Sequence, residues 1–164
     1  MKKPSKPSAA PNPASGRAPP VVAWPIPQPG DVLSYAYLWS HEADAGQEEG
    51  LKDRPVVIVV AVQNVHGNTQ LLVAPITHSE PRLPQSAIEI PKIIKRELGL
   101  DEARSWIILN ELNRFVWPGP DIRIVAGGSG PYHGAIPDHL FTRMRDAIVE
   151  RASANRLRMT KRTE

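Results

Sequence analysis

The fold is decided by residues 53–78 of the 164-residue chain, which read DRPVVIVVAVQNVHGNTQLLVAPITH. Two runs of apolar, largely β-branched residues flank a polar segment that contains Asn64, His66 and Gly67. β-branched residues favour strands, and a short polar segment with Gly between two such runs is typical of a turn. The stretch therefore predicts an antiparallel β-hairpin.

The two ends of this hairpin carry polar residues that strand pairing brings together. If the turn is centred on His66, positions equidistant from it face each other, so Arg54 lies near Thr77. Pro55 is harmless at the start of a strand, whereas Pro75 requires a position without a ladder hydrogen bond. We therefore expect a guanidinium and a hydroxyl at one end of the sheet, with an irregularity in the pairing beside Thr77.

The composition excludes several kinds of site. The chain has no Cys, which excludes disulfides, thiolate metal ligands and a Cys nucleophile, and agrees with a reducing compartment. No apolar run reaches the roughly 18 residues of a membrane span. Lys2, Lys3 and Lys6 precede no hydrophobic region, so they do not form a secretory signal. We expect a cytoplasmic protein that does not contact a membrane.

The net charge of +3 belongs to the two ends of the chain. Residues 1–29 carry +4 and residues 151–164 carry another +4, which leaves −5 for the residues between them. Charge alone therefore does not indicate a nucleic-acid-binding surface on the central part.

The length favours a single domain between two tails. Residues 1–29 hold half of the 18 prolines, which prevents both helices and strand ladders, so residues 1–28 are predicted to be a disordered Pro-rich arm. Residues 29–153 form the domain. Beyond it the apolar periodicity ends, and residues 154–164 are predicted to be a basic, frayed tail.

Further elements follow from the apolar pattern. Strands are predicted at residues 32–39, 87–90 and 105–116, and a helical turn at 92–98 that ends at Gly99. Asp138 can cap a terminal helix whose apolar residues recur at helical spacing. Five strands, a short helix and a terminal helix predict a mainly β fold, a small SH3-like, strongly bent antiparallel sheet or half-barrel.

The loop between the first strand and the hairpin, residues 40–53, is long and acidic. Connections of this length are uncommon in compact domains, and many of them are functional lids. A solvated acidic insertion is the more common alternative.

The hairpin and several shorter motifs together resemble the PemK/MazF family of toxin endoribonucleases. The motifs are Arg54-Pro55, the VAPIT of residues 73–77, Gly30-Asp31-Val32, the IEI of residues 88–90, and the SWIIL of residues 105–109 followed by Glu111 and Arg114. The similarity covers residues 29 to 150, and it depends on the order and spacing of these motifs.

The resemblance implies the toxin component of a type II toxin–antitoxin system. Such a toxin cleaves single-stranded RNA, including mRNA, without a metal or other cofactor, by attack of a 2′-hydroxyl that leaves a 2′,3′-cyclic phosphate. It also implies a homodimer and an antitoxin protein as partner. Arg54 and Thr77 match the catalytic Arg and Thr of the family. The Ser that members often carry in the first loop has no counterpart, and Gln47 or Glu48 stands in that neighbourhood.

Each candidate residue also has an ordinary structural explanation. Arg54 can be a surface residue paired with Asp53 or Glu49, and Thr77 an ordinary strand-end residue. His78 follows Thr77 directly, but adjacent strand residues point to opposite faces. Three further residues are candidates for a substrate-binding groove. They are the oppositely charged Glu111 and Arg114, and the aromatic Trp117.

The structural explanations of these last three residues are common in β proteins. Glu111 and Arg114 can form a cross-strand charge pair, and Trp117 can pack a corner instead of stacking on a base. At the level of function, the alternatives are a non-catalytic SH3-like interaction module whose groove binds a peptide, and a gyrase-directed toxin on the same fold.

Overall fold

The computed structural model describes residues 24–50 and 52–162, and these form eight strands and three helices. The strands are β1 Asp31–Tyr35, β2 Arg54–Gln63, β3 Thr69–Thr77, β4 Ala87–Glu89, β5 Trp106–Ile108, β6 Glu111–Trp117, β7 Tyr132–Ala135 and β8 Arg158–Lys161. The helices are α1 Ser40–Asp44, α2 Lys92–Glu97 and α3 Asp138–Ser153. A 3₁₀ turn, Pro84–Ser86, precedes β4. None of the helices is long and apolar enough to cross a membrane.

The strands build one curled sheet around the β2–β3 hairpin. β1 lies beside β2, and β7 lies beyond β1. On its other edge β3 pairs first with β6 and then with β5, and β4 follows β5. All of these pairs are antiparallel, whereas β8 runs parallel to β6. The sheet is curled but not closed, which confirms the predicted mainly β fold with a strongly bent sheet.

The hairpin has the predicted register near its turn. Gln63 pairs with Thr69 around the five-residue connection, and Val56 pairs with Pro75 near the open end. The irregularity lies at a different place from the predicted one, because the register shifts by one residue between Ile58 and Val60. Pro75 stands where β3 has left β6 and has not yet met β5, so on that edge the missing N–H needs no partner.

Alternation along β2 supplies two hydrophobic cores. Val57 and Val59 face a core that contains α3, whereas Val56 and Ile58 face an aromatic core within the curl. The apolar residues that recur at helical spacing in α3 pack against the sheet, and the buried ones are Leu140, Met144 and Ile148. Each such aliphatic side chain contributes about 1.5–3 kcal/mol of burial free energy.

The structure corrects three boundaries inside the domain. The first strand, predicted to end at residue 39, ends at Tyr35. The loop at residues 40–53 is not structureless, since it begins with α1. The predicted strand at residues 105–116 is two strands, β5 and β6, interrupted at Leu109 and Asn110. Apolar content is continuous across this break, but the two halves pair with different parts of β3.

The structure also corrects the C-terminal tail. Within residues 154–164, predicted to fray, Arg158–Lys161 forms β8 and Arg162 is buried with 2% exposure. Most of the predicted arm, residues 1–23, lies outside the described residues. Trp24, at the start of the described chain, packs against Trp117 with ring centroids 6.4 Å apart.

Candidate functional site

The first residue of β2 and the last residue of β3 meet at the same end of the sheet. Because the two strands are antiparallel, Arg54 and Thr77 line one cavity of about 460 Å³. His78, which follows β3, lines it too. The other lining residues come from the α1 region, the residues before β2, the segment after β3, and β5: Trp39, His41, Glu42, Lys52, Ser79, Glu80, Pro81 and Ile108.

The Arg54 guanidinium is partly buried and only weakly bonded to the protein. Its Nη1 donates to the Ile76 carbonyl oxygen at 3.4 Å, and its carbon lies 5.0 Å from the centre of the Trp39 ring. Its Nε is buried and has no hydrogen-bond partner among the described residues. Burial lowers the pKa of Arg54, while the nearby Glu42 and Tyr37 oppose the shift.

The acidic loop does not neutralise Arg54. In the described part of the chain no carboxylate oxygen lies within the 4.0 Å of an ion pair with its guanidinium. Asp53 instead pairs with Arg123, with Oδ1 3.2 Å from Nε. The alternative in which Arg54 is a surface residue paired with Asp53 or Glu49 is therefore wrong.

Two other carboxylates of the same loop are engaged elsewhere. Glu42 Oε1 accepts the backbone N–H of Trp39 at 3.0 Å and so caps α1. Asp44 pairs with Arg158 of β8, with 3.0 Å between Nη2 and Oδ2. Asp44 is thus paired away from Arg54, whereas Glu42 shares the cavity with Arg54 and forms no ion pair with it in the described chain.

Thr77 is buried, and its hydroxyl is held in place from one side. Its Oγ1 accepts the backbone N–H of Ser79 at 3.1 Å. A hydroxyl that accepts one bond still has its own hydrogen to donate. Thr77 can therefore donate to an oxygen atom that enters the cavity.

His78 belongs to a second group of polar residues beside Arg54. Its Nε2 lies 2.9 Å from Oδ2 of Asp101, and the Lys95 ammonium lies 2.8 Å from Oδ1 of the same carboxylate. The hydrogen bond from Lys95 lowers the pKa of Asp101 below its ordinary value. These residues line a neighbouring cavity of about 220 Å³ that shares Lys52, Arg54 and His78 with the first.

A third cavity extends the site past Arg54. It has a volume of about 320 Å³ and shares Arg54, Pro55 and Asp101 with the second cavity. Its far wall includes His133, whose pKa is lowered by burial. Arg54 therefore stands at the junction of three adjoining cavities, which together we call the Arg54 groove.

The predicted site residues divide into two sets. Arg54, Thr77 and His78 line the Arg54 groove, while the following do not: Gln47, Glu48, Glu111, Arg114 and Trp117. Glu111 accepts hydrogen bonds from the Tyr37 hydroxyl at 3.1 Å and from the Ser40 backbone N–H at 2.9 Å. It therefore supports α1, and it does not pair with Arg114 within the described residues.

Arg114 and Trp117 are parts of the sheet and its aromatic core. Arg114 is half-buried in β6, between Leu72 of β3 and Lys161 of β8. Trp117 is buried, with its ring centroid 6.4 Å from that of Tyr132. The corner-packing explanation of Trp117 is the one that the structure supports.

Sequence reasoning missed several residues of the groove. Trp39 and His41 stack with ring centroids 6.5 Å apart, at the rim of the largest cavity. The sequence places Trp39 in the predicted strand at residues 32–39 and His41 in the long acidic loop, so no pattern directs either ring towards Arg54. Asp101 and Lys95 lie more than 15 residues from His78 in the sequence, so no local pattern joins them to it.

The groove has the donors of an anion site. Arg54 and Lys52 are cations, and Thr77 adds a hydroxyl donor. In residues 24–50 and 52–162 no group of three or more His, Asp or Glu side chains is arranged to hold a metal ion. No protein-family model matches the chain, and no curated protein sequence matches it.

Proposed function

We propose that the protein is a toxin-like endoribonuclease of the PemK/MazF type that cleaves single-stranded RNA without a metal. The observation that carries the proposal is the state of Arg54. Its guanidinium is partly buried, has an Nε without a hydrogen-bond partner among the described residues, forms no ion pair within 4.0 Å in that part of the chain, and shares a cavity with Thr77. A cation that has no ion-pair partner can bind an anion without first breaking an ion pair.

In the proposed reaction the ribose 2′-hydroxyl attacks the adjacent phosphorus, and the bond to the 5′-oxygen breaks. Negative charge builds on the phosphoryl oxygens in the transition state. The planar fork of Arg54 donors suits two of these oxygens at once, and the Thr77 hydroxyl donates to the phosphate or to the attacking 2′-oxygen. The products are a 2′,3′-cyclic phosphate and a free 5′-hydroxyl.

The dimensions of the groove support an extended substrate. Three adjoining cavities meet at Arg54, which leaves room for nucleotides on both sides of a phosphate bound there. Trp39 and His41 present stacked rings beside the largest cavity. Aromatic rings stack on unpaired bases, which favours single strands over duplexes.

The experiment is single-turnover cleavage of an end-labelled single-stranded RNA in the presence of EDTA. The wild type should cleave it and leave cyclic-phosphate ends. Arg54→Lys keeps a positive charge but loses the bidentate fork, so cleavage should slow by about 10²-fold or more while RNA affinity changes less. Arg104→Lys is the matched control, because Arg104 also lies over a Trp ring, at 4.9 Å, but away from the groove.

Three results would contradict the proposal. One is a wild type that leaves single-stranded RNA intact. The second is an Arg54→Lys variant that cleaves at the wild-type rate. The third is cleavage that needs a divalent metal.

The proposal includes a homodimer, located in the cytoplasm and held inactive by an antitoxin protein. An open, curled sheet has unpaired strand edges that a second subunit can cover, and the β2–β3 tip exposes Val62 and Val65 at 54% and 94%.

Light scattering at micromolar concentration tests the homodimer and should give twice the monomer mass of 18.1 kDa. A constant monomer mass across that range would remove the dimer from the proposal.

One observation favours the binding module as the second candidate. The largest cavity is walled in part by Trp39, Pro81 and Ile108, and aromatic-lined grooves also bind extended peptides. The cleavage assay separates the two candidates, since a peptide-binding module leaves the RNA intact.

A further inference from the structure

We propose that Asp101, itself held by Lys95, positions His78 as the general base of the cleavage reaction. The inference rests on the proposed endoribonuclease function, and it adds a proton acceptor to the donors Arg54 and Thr77. It assigns a role to three side chains that belong to one hydrogen-bonded chain leading into the Arg54 groove.

The contact between Asp101 and His78 determines the tautomer of the imidazole ring, that is, which ring nitrogen carries the hydrogen. An ionised carboxylate only accepts hydrogen bonds. The Nε2 atom of His78 lies 3.2 Å from Oδ1 and 2.9 Å from Oδ2 of Asp101, so Nε2 carries the hydrogen. In the neutral ring the other nitrogen, Nδ1, then has a free lone pair. Within the part of the chain that the structure describes, Nδ1 has no hydrogen-bond partner.

Asp101 is also held in place by two further hydrogen-bond donors. The Lys95 ammonium donates to its Oδ1 at 2.8 Å, and the Ala103 backbone N–H donates to the same atom at 3.1 Å. The side chain of Lys95 is only 4% exposed. A buried ammonium is costly unless it is fully paired, and Lys95 meets that need with Asp101 and the Ala103 carbonyl.

The position of His78 suits a proton acceptor for the attacking hydroxyl. His78 lines two of the three cavities of the Arg54 groove, and Thr77 lines one of these two. Its side chain is 59% exposed, so it can release a proton to solvent after each turnover. Alternation along the strand turns the His78 side chain away from that of Thr77, but both residues line the cavity of about 460 Å³.

The proton balance of the step is complete. As the 2′-oxygen–phosphorus bond forms, the 2′-hydroxyl proton moves to Nδ1 of His78, which becomes an imidazolium paired with Asp101. The leaving 5′-oxygen takes a proton from a water molecule. The imidazolium then returns its proton to the hydroxide left by that water.

The competing role of these contacts is purely structural, a clamp that holds the segment at residues 99–105 against α2. Asp101→Asn separates the two roles, because an amide can still accept from Lys95 but donates to the His78 ring. The ring then carries its hydrogen on Nδ1, and the lone pair that accepts the proton is lost. Glu102→Gln is the matched control, since Glu102 is the neighbouring exposed carboxylate and lies outside the groove.

Two measurements test the inference on the intact chain. Nitrogen-15 NMR of the imidazoles at about pH 8, where a His is neutral, should show the Nε2–H form of His78 in the wild type and the Nδ1–H form in Asp101→Asn. Single-turnover cleavage should be about 10²-fold slower in Asp101→Asn with RNA affinity unchanged, and unaffected in Glu102→Gln. His78→Ala should be equally slow, and added imidazole should restore part of its rate.

The outcomes distinguish this inference from the function on which it rests. A wild type that does not cleave RNA overturns the proposed function. Cleavage that is lost in Arg54→Lys but normal in Asp101→Asn or His78→Ala overturns the general base alone. A wild-type His78 in the Nδ1–H form also overturns it.

Discussion

Asp53 forms its ion pair with Arg123 and not with its sequence neighbour Arg54. Oδ1 of Asp53 lies 3.2 Å from Nε of Arg123, and Arg123 is fixed further by Nη1, which donates to the Pro120 carbonyl oxygen at 3.0 Å. Asp53 lines two cavities of the Arg54 groove, and this ion pair engages its carboxylate with the segment after β6. This relationship leaves the guanidinium of Arg54 free for an anion.

Arg123→Ala should weaken RNA binding although Arg123 does not line the groove. The released Asp53 carboxylate stands next to Arg54 and competes with phosphate for it. We expect an affinity loss of about 3- to 10-fold near 0.05 M salt that shrinks as salt screens the charge. The double variant Asp53→Asn, Arg123→Ala should bind as the wild type does. Equal losses in the single and double variants would show that Arg123 acts in some other way.

Thr77→Val should slow cleavage by about 10-fold, because it removes one hydrogen bond to the transition state from a side chain of nearly the same shape. Thr77→Ser keeps the hydroxyl and should retain most of the rate. Thr69→Val, at the other end of β3 and equally buried, controls for the loss of a buried hydroxyl as such. Single-turnover rates of the three variants check this, and a wild-type rate in Thr77→Val would contradict it.

Arg162→Met should destabilise the protein strongly. Arg162 Nη2 lies 3.0 Å from Asp121, and Nη1 donates to the Ala36 carbonyl oxygen at 2.7 Å, all in the interior. Removing one partner of a buried ion pair costs about 3–5 kcal/mol. Arg158→Met, at the first residue of β8, breaks the exposed pair with Asp44 of α1 and should cost about 1 kcal/mol at most. Urea unfolding measures both, and similar losses would contradict this account.

The protein should lose stability above about pH 10. Burial raises the pKa of Tyr132 to about 12 and also raises those of Tyr35 and Tyr37. Between the ordinary value of about 10 and the raised one, the unfolded chain releases protons that the folded chain keeps. The unfolded state then binds fewer protons, so the stability is fully present below pH 10 and falls as the pH rises.

Urea unfolding between about pH 8 and 11 tests this directly. Each fully buried tyrosine contributes a slope of at most about 1.4 kcal/mol per pH unit. Tyr37→Phe should therefore flatten the slope above pH 10 clearly, whereas Tyr132→Phe should do so less because that side chain is half-exposed. An unchanged slope in Tyr37→Phe would exclude its ionisation as a cause.

The sequence by itself determined the hairpin and, with it, the meeting of Arg54 and Thr77. This was possible because β-branched residues, a polar turn and antiparallel pairing are local properties that fix which positions face each other. The apolar stripe of α3 and the stop of α2 at Gly99, where φ is +70°, were readable for the same reason. The mainly β fold followed from these local elements.

Only the tertiary structure decided what surrounds Arg54. β8 has no alternation of apolar and polar residues that predicts a strand. It is stabilised by pairing with the edge of β6 and by the ion pair between Arg162, the next residue, and the buried Asp121. The break between β5 and β6 arises where β3 exchanges one partner for another. Asp53 with Arg123, and His78 with Asp101, are contacts between residues far apart in the chain. Such pairings depend on where the sheet curls, and the position of the curl cannot be predicted from the periodicity of apolar residues in the sequence.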